Sequence, residues 1–303
     1  MNRIYILVFS LVFLACGGGD GDDIKVIQEN ENHGNYEEEI IEEEVFSVTI
    51  DETDLVNLPK DNGGSHIAIK KENTDAAYGY YIYKPEGYAN DGPAYPLLIF
   101  LHGWSPNLGK EPLESILVHG PPRLIETNKW DPIFPFLVVS PQLTGSSYWP
   151  PYKMHSFIEY LMEKYQVNKD RIYLTGLSLG GGGCWYYAGE YADNYLAAIV
   201  PISASGAPSL IDNLTKIPIW AFHGGQDSTV KAYENYGSVP LVEAINLNSP
   251  KVRARITVYE SSGHDAWGIT YSGAGKNYAS KKYDSFNMDI YEWMLAYKKS
   301  DQD

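Results

Sequence analysis

The sequence predicts an α/β fold in which helices cover both faces of a mainly parallel central sheet. Several short runs are apolar at nearly every position, as strands buried on both faces of such a sheet are. Longer segments between them place apolar residues three and four positions apart, as amphipathic helices do. No internal repeat and no second domain boundary interrupts this alternation, so we expect a single folded domain over residues 45–303.

The predicted elements follow in chain order. The first two strands cover 45–50 and 78–83, which are rich in β-branched and aromatic residues. The later strands are the apolar runs, at 95–101, 136–139, 172–174, 196–200, 217–222 and 252–259. The predicted helices lie between and after these strands, at 153–165, 179–191 and 284–297.

The composition is that of a globular chain in water, with 44% apolar and 20% charged residues among 303. The formal net charge of −16 argues against a nucleic-acid partner, because phosphate binding needs clustered Lys and Arg. No apolar stretch reaches the roughly 18 residues of a membrane-spanning helix. Two cysteines, Cys16 and Cys184, are too few for a disulfide-rich scaffold or a cysteine-based zinc site.

Residues 1–15 are predicted to be a lipoprotein signal peptide. A basic start at Arg3 precedes the almost wholly apolar run 4–13, and a small residue stands before Cys16. This arrangement resembles a bacterial lipoprotein cleavage site, which implies a mature chain that begins at a lipidated Cys16 and is anchored to a membrane. The alternative is simple secretion with an incidental cysteine.

Residues 16–44 are predicted to be an acidic flexible tether. Between positions 20 and 44 there are eleven acidic residues and one lysine, and such a run repels itself and buries nothing. Acids just after a lipidated cysteine resemble an export signal to the outer surface of some Gram-negative bacteria. We therefore expect a lipoprotein of the outer membrane or cell surface, and otherwise a periplasmic or secreted protein.

A candidate nucleophile lies where the predicted strand 172–174 leads into the predicted helix 179–191. The pentapeptide Gly176 to Gly180 has the form G-x-S-x-G with Ser178 at its centre. A serine on such a strained turn exposes its hydroxyl above the sheet, and the glycines give the backbone room. The alternative is a tight turn with a buried serine.

A serine nucleophile needs a base, and the base needs a carboxylate that orients it. Among the seven histidines, we favour His264, which follows the last predicted strand. We favour Asp227, which follows the strand 217–222, over Asp212 and Asp265. Asp212 precedes that strand and Asp265 adjoins the base, so neither is well placed to reach the histidine ring.

Several motifs in combination resemble one group of α/β-hydrolases. This group contains feruloyl and acetyl-xylan esterases, polyhydroxybutyrate depolymerases and proteins called predicted peptidases. The resemblance covers roughly residues 78 to 295 and is specific for fold and triad, less so for substrate. It is carried by the segments 81–88, 98–103, 119–122, 140–142, 170–178, 218–224 and 263–267.

The resemblance implies an α/β-hydrolase domain with a Ser178, Asp227, His264 triad in the order typical of that fold. Two backbone amides would hold the oxyanion, that of Leu179 and that of Trp104, with Gly103 as the rival for the second. Related sequences often place small residues where Trp104 stands, so its bulk argues against long acyl chains.

The substrate is predicted from aromatic residues near the strand ends. Trp149 and Trp267, with Gln142, are the expected substrate-binding residues, because aromatic rings stack on sugar or phenolic rings. Ordinary pocket lining is the alternative for the aromatic residues. No metal or cofactor is expected, since triad chemistry needs none.

By resemblance, we expect a serine carboxylesterase that acts on acetyl or feruloyl esters of polysaccharide. The alternatives are a small serine peptidase of the same fold and an inactive homologue that binds glycan.

Overall fold

The computed structural model describes residues 48–105, 109–191, 195–234, 236–276 and 287–302. The predicted signal peptide 1–15, Cys16 and the tether 16–44 lie outside the described residues, so they stay predictions. Among the described residues, no helix combines the length and the hydropathy that a membrane crossing requires.

Eight strands in these described ranges form one sheet. They are β1 (Ser65–Ile69), β2 (Tyr80–Lys84), β3 (Tyr95–Leu101), β4 (Leu137–Pro141), β5 (Val167–Leu177), β6 (Leu196–Ile202), β7 (Trp220–Gly224) and β8 (Arg255–Tyr259). Their order across the sheet is β1-β2-β4-β3-β5-β6-β7-β8. Strands β3 to β8 run parallel, whereas β2 pairs antiparallel with both β1 and β4.

Helices cover both faces of this sheet, as the sequence predicts. Those in the described ranges are α1 (Gly120–Glu126), α2 (Pro151–Lys164), α3 (Leu179–Tyr191), α4 (Ile211–Leu214), α5 (Ser238–Leu247), α6 (Ala266–Tyr271) and α7 (Ile290–Leu295).

Side chains of α2, α3 and α5 share one apolar core with Leu97 and Ile99 of β3. Those of α1, α6 and α7 share a second core with Leu98 and Phe100 of the same strand. Successive residues of a strand point to opposite faces of the sheet, so neighbouring residues of β3 belong to different cores. The helices on both faces of a mainly parallel sheet confirm the predicted α/β-hydrolase architecture.

The strand predicted at 45–50 is wrong for the residues that the structure describes, since 48–50 carry no strand. Val48 and Ile50 instead pack, half-buried, against the second core without a neighbouring ladder. The first strand is β1, a mostly exposed edge strand that pairs antiparallel with β2. Residues 45–47 and 284–286 lie outside the described residues. Within the predicted helix 284–297, the structure has the helix α7 at Ile290–Leu295.

Side-chain bonds tie the segment 48–58, hereafter the N-terminal strap, to the domain. Asp54 accepts two hydrogen bonds from the buried guanidinium of Arg171, both at 2.8 Å. Arg171 lies in β5 and also donates to the backbone carbonyls of Asp51 and Leu295. The strap is therefore bound to the strand that ends just before Ser178.

Candidate active site

Ser178 lies on a sharp turn between β5 and α3. Its φ is 52°, a left-handed conformation that costs energy for a residue with a side chain. Its amide donates to the Ile202 carbonyl at 2.9 Å, and its carbonyl accepts from the Gly182 amide at 3.0 Å. A Cβ on Gly180 would lie 2.0 Å from the Leu101 carbonyl oxygen, so only glycine lets the helix begin this close to β3.

The ring of His264 connects Ser178 to a buried carboxylate. His264 lies in the turn between β8 and α6, and its Nε2 is 2.9 Å from Ser178 Oγ. Its Nδ1–H donates to Asp227 Oδ2 at 2.7 Å. With the proton held on Nδ1, Nε2 is free to accept the hydroxyl proton of the serine.

Asp227 is fixed from within its own turn after β7. Its side chain is completely buried, and its Oδ1 accepts the amides of Thr229 and Val230, each at 2.9 Å. These two bonds leave Oδ2 directed at His264. Of the three carboxylates that the sequence offers, the structure joins Asp227 to the ring, whereas Asp265 is exposed and Asp212 lies in α4.

A cavity of about 510 Å³ opens above Ser178 and His264. The loop after β3 and the segment 111–119 form part of its wall. Its other lining residues include Trp104, Glu111, Ile116, His119, Gln142 and Trp267. The volume is in the range of small-molecule sites, which suits one compact substrate group rather than a long chain.

The loop after β3 lines the cavity beside Ser178, and His102 braces this loop. The Nδ1–H of His102 donates to the Gly103 carbonyl at 2.7 Å, and its Nε2 accepts the Leu143 amide at 3.0 Å. Burial lowers the pKa of His102, which keeps the ring neutral in this arrangement. The ring therefore serves the loop rather than the reaction.

The two expected oxyanion donors lie on either side of Ser178. Leu179 is the first residue of α3, so its amide has no acceptor within the helix. Trp104 follows Gly103, whose added Cβ would lie 3.5 Å from the Ser178 Cβ. Trp104 lines the cavity with a side chain that is 65% exposed. The oxyanion role of both amides stays a prediction.

Two of the expected substrate-binding residues line the cavity. Trp267 is half-buried and lies edge-on to His264, at 5.2 Å between ring centroids. The side-chain amide of Gln142 donates to the Glu111 carbonyl at 3.0 Å, and thereby ties β4 to the cavity wall. Their contact with substrate stays a prediction.

Trp149 does not fit the role that the sequence suggests. It is 2% exposed and does not line the cavity. Its indole N–H donates to the His102 carbonyl at 3.2 Å, and its ring packs edge-on against the His102 ring. The reason is that Trp149 lies beneath the loop after β3, so it supports that loop instead of facing substrate.

Sequence reasoning gave no role to two polar cavity residues, Glu111 and His119. Glu111 accepts a hydrogen bond from the Ser105 hydroxyl, and the His119 ring packs on Trp267 at 5.8 Å. Glu111 lies in no recognised motif, and the resemblance that segment 119–122 helps to carry assigns no role to His119. In the described part of the chain, no three His, Cys, Asp or Glu side chains are grouped to hold a metal ion.

A protein-family model described as "Putative esterase" matches residues 72–266, which is more than half of the chain. The matched span contains Ser178, Asp227 and His264. No curated protein matches this sequence.

Solved structures of similar fold include a thermostable esterase, with 24% identity and a TM-score of 0.56 over 78% of this chain. The match spans 63% of that esterase's length. A mutant of the feruloyl esterase module from Clostridium thermocellum, complexed with sinapinate, has 16% identity and a TM-score of 0.53, covering 79% of this chain and 89% of the module. A substrate-bound fluorophosphonate-binding serine hydrolase from Staphylococcus aureus has 15% identity and a TM-score of 0.54, covering 77% and 99%. At these identities the likeness establishes the shared fold.

Proposed function

Because this chain belongs to that esterase family, and is a serine hydrolase of carboxylic esters, we propose that Ser178, His264 and Asp227 are its catalytic triad. One observation carries the proposal. A continuous hydrogen-bonded path runs from the Ser178 hydroxyl through the His264 ring to the buried Asp227 carboxylate. The three residues have the roles of nucleophile, general base and orienting carboxylate.

The reaction proceeds through an acyl-enzyme. His264 Nε2 takes the hydroxyl proton while Ser178 Oγ attacks the ester carbonyl carbon, and Asp227 stabilises the imidazolium that forms. His264 then gives the proton to the departing alkoxide, which leaves as the alcohol. Water, deprotonated by the same ring, attacks the acyl-serine and releases the acid.

The negative oxygen of each tetrahedral intermediate is held by the amides of Leu179 and Trp104. Leu179 supports this role because its amide is free of the helix and follows the nucleophile directly. Trp104 supports it because its loop is held by the His102 ring, which accepts the amide of Leu143 two residues after the end of β4. A preorganised donor pair of this kind typically contributes a factor on the order of 10²–10³ in turnover per donor.

The substrate we propose is an acetyl or feruloyl ester carried on a polysaccharide. The cavity of about 510 Å³ is large enough for one aromatic acyl group. Trp104 and Trp267 offer aromatic surface beside the nucleophile, which suits a phenolic or sugar ring. The shared fold with a feruloyl esterase module that binds sinapinate favours the same class of ester.

The test is release of acid from acetylated and feruloylated polysaccharide by the whole protein, compared with Ser178→Ala. We expect acetate or ferulate from the natural chain, and turnover lower by a factor on the order of 10⁶ in the variant. Cleavage of synthetic esters without release from either polysaccharide would keep the triad and refute the polysaccharide substrate. Activity on peptides but not on matching esters would indicate a peptidase.

A fluorophosphonate probe separates an enzyme from a binding protein. The probe is expected to label the natural chain at Ser178 and to leave Ser178→Ala unlabelled. Absence of labelling in the natural chain, together with binding of glycan, would favour an inactive homologue.

We also propose that the chain is a lipoprotein of the bacterial outer membrane or cell surface, anchored through Cys16. The support is the order of a basic start, an apolar run and a small residue before Cys16. An anchored esterase would act on polysaccharide outside the cell.

A further inference from the structure

The Asp227 carboxylate faces a second imidazole on its buried side, that of His223. His223 is the fourth residue of β7 and is completely buried. Its Nε2 lies 3.3 Å from Asp227 Oδ2, the same oxygen that accepts the Nδ1–H of His264 at 2.7 Å. One carboxylate oxygen therefore lies between two imidazole nitrogens.

The hydrogen-bond partners of His223 determine which nitrogen carries its proton. Nε2 lies 2.8 Å from the Val230 carbonyl, which can only accept, so Nε2 is the protonated nitrogen. Nδ1 lies 2.9 Å from the Ser238 hydroxyl, whose single proton goes either to this nitrogen or to the Ala204 carbonyl at 3.0 Å. Burial lowers the pKa of His223, which favours the neutral ring, in which the Ser238 hydroxyl donates to Nδ1. The Nε2–H donates to the Val230 carbonyl, and Asp227 Oδ2 lies 3.3 Å from the same nitrogen.

We propose that His223 is a positioning residue whose Nε2–H partly compensates the charge of Asp227 and so limits how strongly that carboxylate stabilises protonated His264. The inference rests on the proposed triad. A base that is stabilised less as imidazolium stays neutral to lower pH.

The other titratable groups around this pair are few in the described part of the chain. Asp265 adjoins His264 and is exposed, and His119 lies beyond the Trp267 ring. Glu260 lies next to Gly225, and Gly225 belongs to the turn that leads from β7 to Asp227. His102 and Glu111 line the same cavity. The variants below leave all these groups in place, so their contributions cancel between the variants.

The test compares His223→Asn with His223→Gln. The side-chain nitrogen of Gln reaches the place of the imidazole Nε2 and keeps a donor toward Asp227. That of Asn reaches only the place of Nδ1, beside Ser238, and leaves Asp227 without this donor. Both replacements are polar and smaller than the ring, so they match as folding controls for one another.

The measurement is the pH profile of kcat/KM on a neutral synthetic ester, whose acidic limb reports the pKa of His264 in the free enzyme. We expect that limb to move to higher pH by about half a unit to one unit in His223→Asn, and to stay within about 0.3 unit of the natural protein in His223→Gln. A limb that moves to lower pH in the Asn variant would mean that Asp227 has lost His264, and would overturn the proposal in favour of a merely structural role. An unchanged limb, or equal shifts in both variants, would overturn it as well.

A second measurement needs no substrate. Nitrogen NMR of the natural protein is expected to show His223 as a neutral ring protonated on Nε2 from pH 5 to 8, and a charged ring or an Nδ1-protonated ring would refute the proposal. Titration of His264 by the same method gives its pKa in the two variants without turnover. If the natural protein cleaved no ester, the proposed function would fail while this titration still decided the role of His223.

Discussion

At the scale of single residues, the site depends on backbone positions where a side chain has no room. Gly224 ends β7, and its backbone lies against the turn that carries His264. A Cβ added there would lie 1.9 Å from the Gly263 carbonyl oxygen and 2.5 Å from that of Ser262. Both neighbours are backbone atoms, so the turn itself must shift to make room.

We therefore expect Gly224→Ala to displace His264 from Ser178 and Asp227. A displacement of about 1 Å at a catalytic group typically costs a factor on the order of 10² in rate. The measurement is kcat/KM on a small synthetic ester, with the melting temperature followed in parallel to separate misplacement from unfolding.

Gly268→Ala is the matched control for this substitution. Gly268 lies in α6, close to the same turn, and an added Cβ there would meet no atom within 4 Å. Alanine is a better helix former than glycine, so this variant is expected to keep its activity and to gain a few tenths of a kcal/mol. Equal activity of the two variants would contradict the steric argument.

At the scale of elements, the N-terminal strap is bound to β5 by an ion pair between the buried Arg171 and the partly exposed Asp54. Asp54 meets Arg171 with two hydrogen bonds and also lies 3.3 Å from Lys298. Burial alone would raise the pKa of Asp54, but the hydrogen bonds and the charge of Arg171 outweigh it and hold this pKa well below its usual range. The strap is therefore sensitive to both mutation and acid.

We expect Asp54→Asn to lower the free energy of unfolding by about 3–5 kcal/mol, because it leaves the Arg171 guanidinium buried without its counter-charge. Urea unfolding at pH 7 measures this loss. Asp170→Asn is the control, since Asp170 adjoins Arg171 but is exposed, and its replacement is expected to change stability by less than about 0.5 kcal/mol. Similar losses in both variants would refute the assignment of stability to the pair.

The same pair predicts a dependence of stability on pH. A carboxylate whose pKa is lower in the folded than in the unfolded state stabilises the fold above its unfolded pKa of about 3.9, and this stabilisation fades as pH falls. We expect the natural protein to lose stability from about pH 5 downward. Asp54→Asn is expected to show a smaller slope over that range, and an unchanged slope would show that other carboxylates dominate.

The elements differ in how far the sequence alone predicts them. The runs that became β3 and β6 are buried at every position, so their pattern is unambiguous. The segment 45–50 has a similar composition, but a pattern of apolar residues reports burial and not the neighbour that completes a ladder. The strand β1 is mostly exposed although it contains Ile67 and Ile69, and five residues are too few for this apolar pattern to predict a strand.

The residues of the candidate site also differ in how far the sequence alone predicts their roles. The turn at Ser178 is local, so its glycine spacing is visible in the sequence, and chain order pointed to Asp227 and His264. Trp149 was misjudged because an aromatic residue near a strand end does not reveal whether its ring faces the cavity or supports the loop from beneath. His223 gave no signal, because its role depends on a carboxylate that it meets only in the fold.

At the scale of the whole molecule, the chain combines a hydrolase domain with an N-terminal part of very different composition. Residues 16–44, which we predict to be a tether, hold 11 of the 39 acidic residues. One lipidated cysteine ahead of such a tether would let the domain work at some distance from the membrane. The proposal for Cys16 can be tested separately from the chemistry at Ser178.

We expect the whole chain, produced in a Gram-negative host, to incorporate labelled palmitate and to sediment with membranes. Cys16→Ser is expected to abolish both, because serine offers no thiol for the lipid. Cys184→Ser is the matched control, since Cys184 lies on a buried face of α3 and burial raises the pKa of its thiol. The Cys184→Ser variant is expected to keep the label.

Label retained by Cys16→Ser, or a natural chain found unlabelled in the soluble fraction, would contradict the anchor and leave simple secretion. The esterase activity of the purified Cys16→Ser protein is expected to equal that of the natural one, because the lipid and the triad belong to separate parts of the chain.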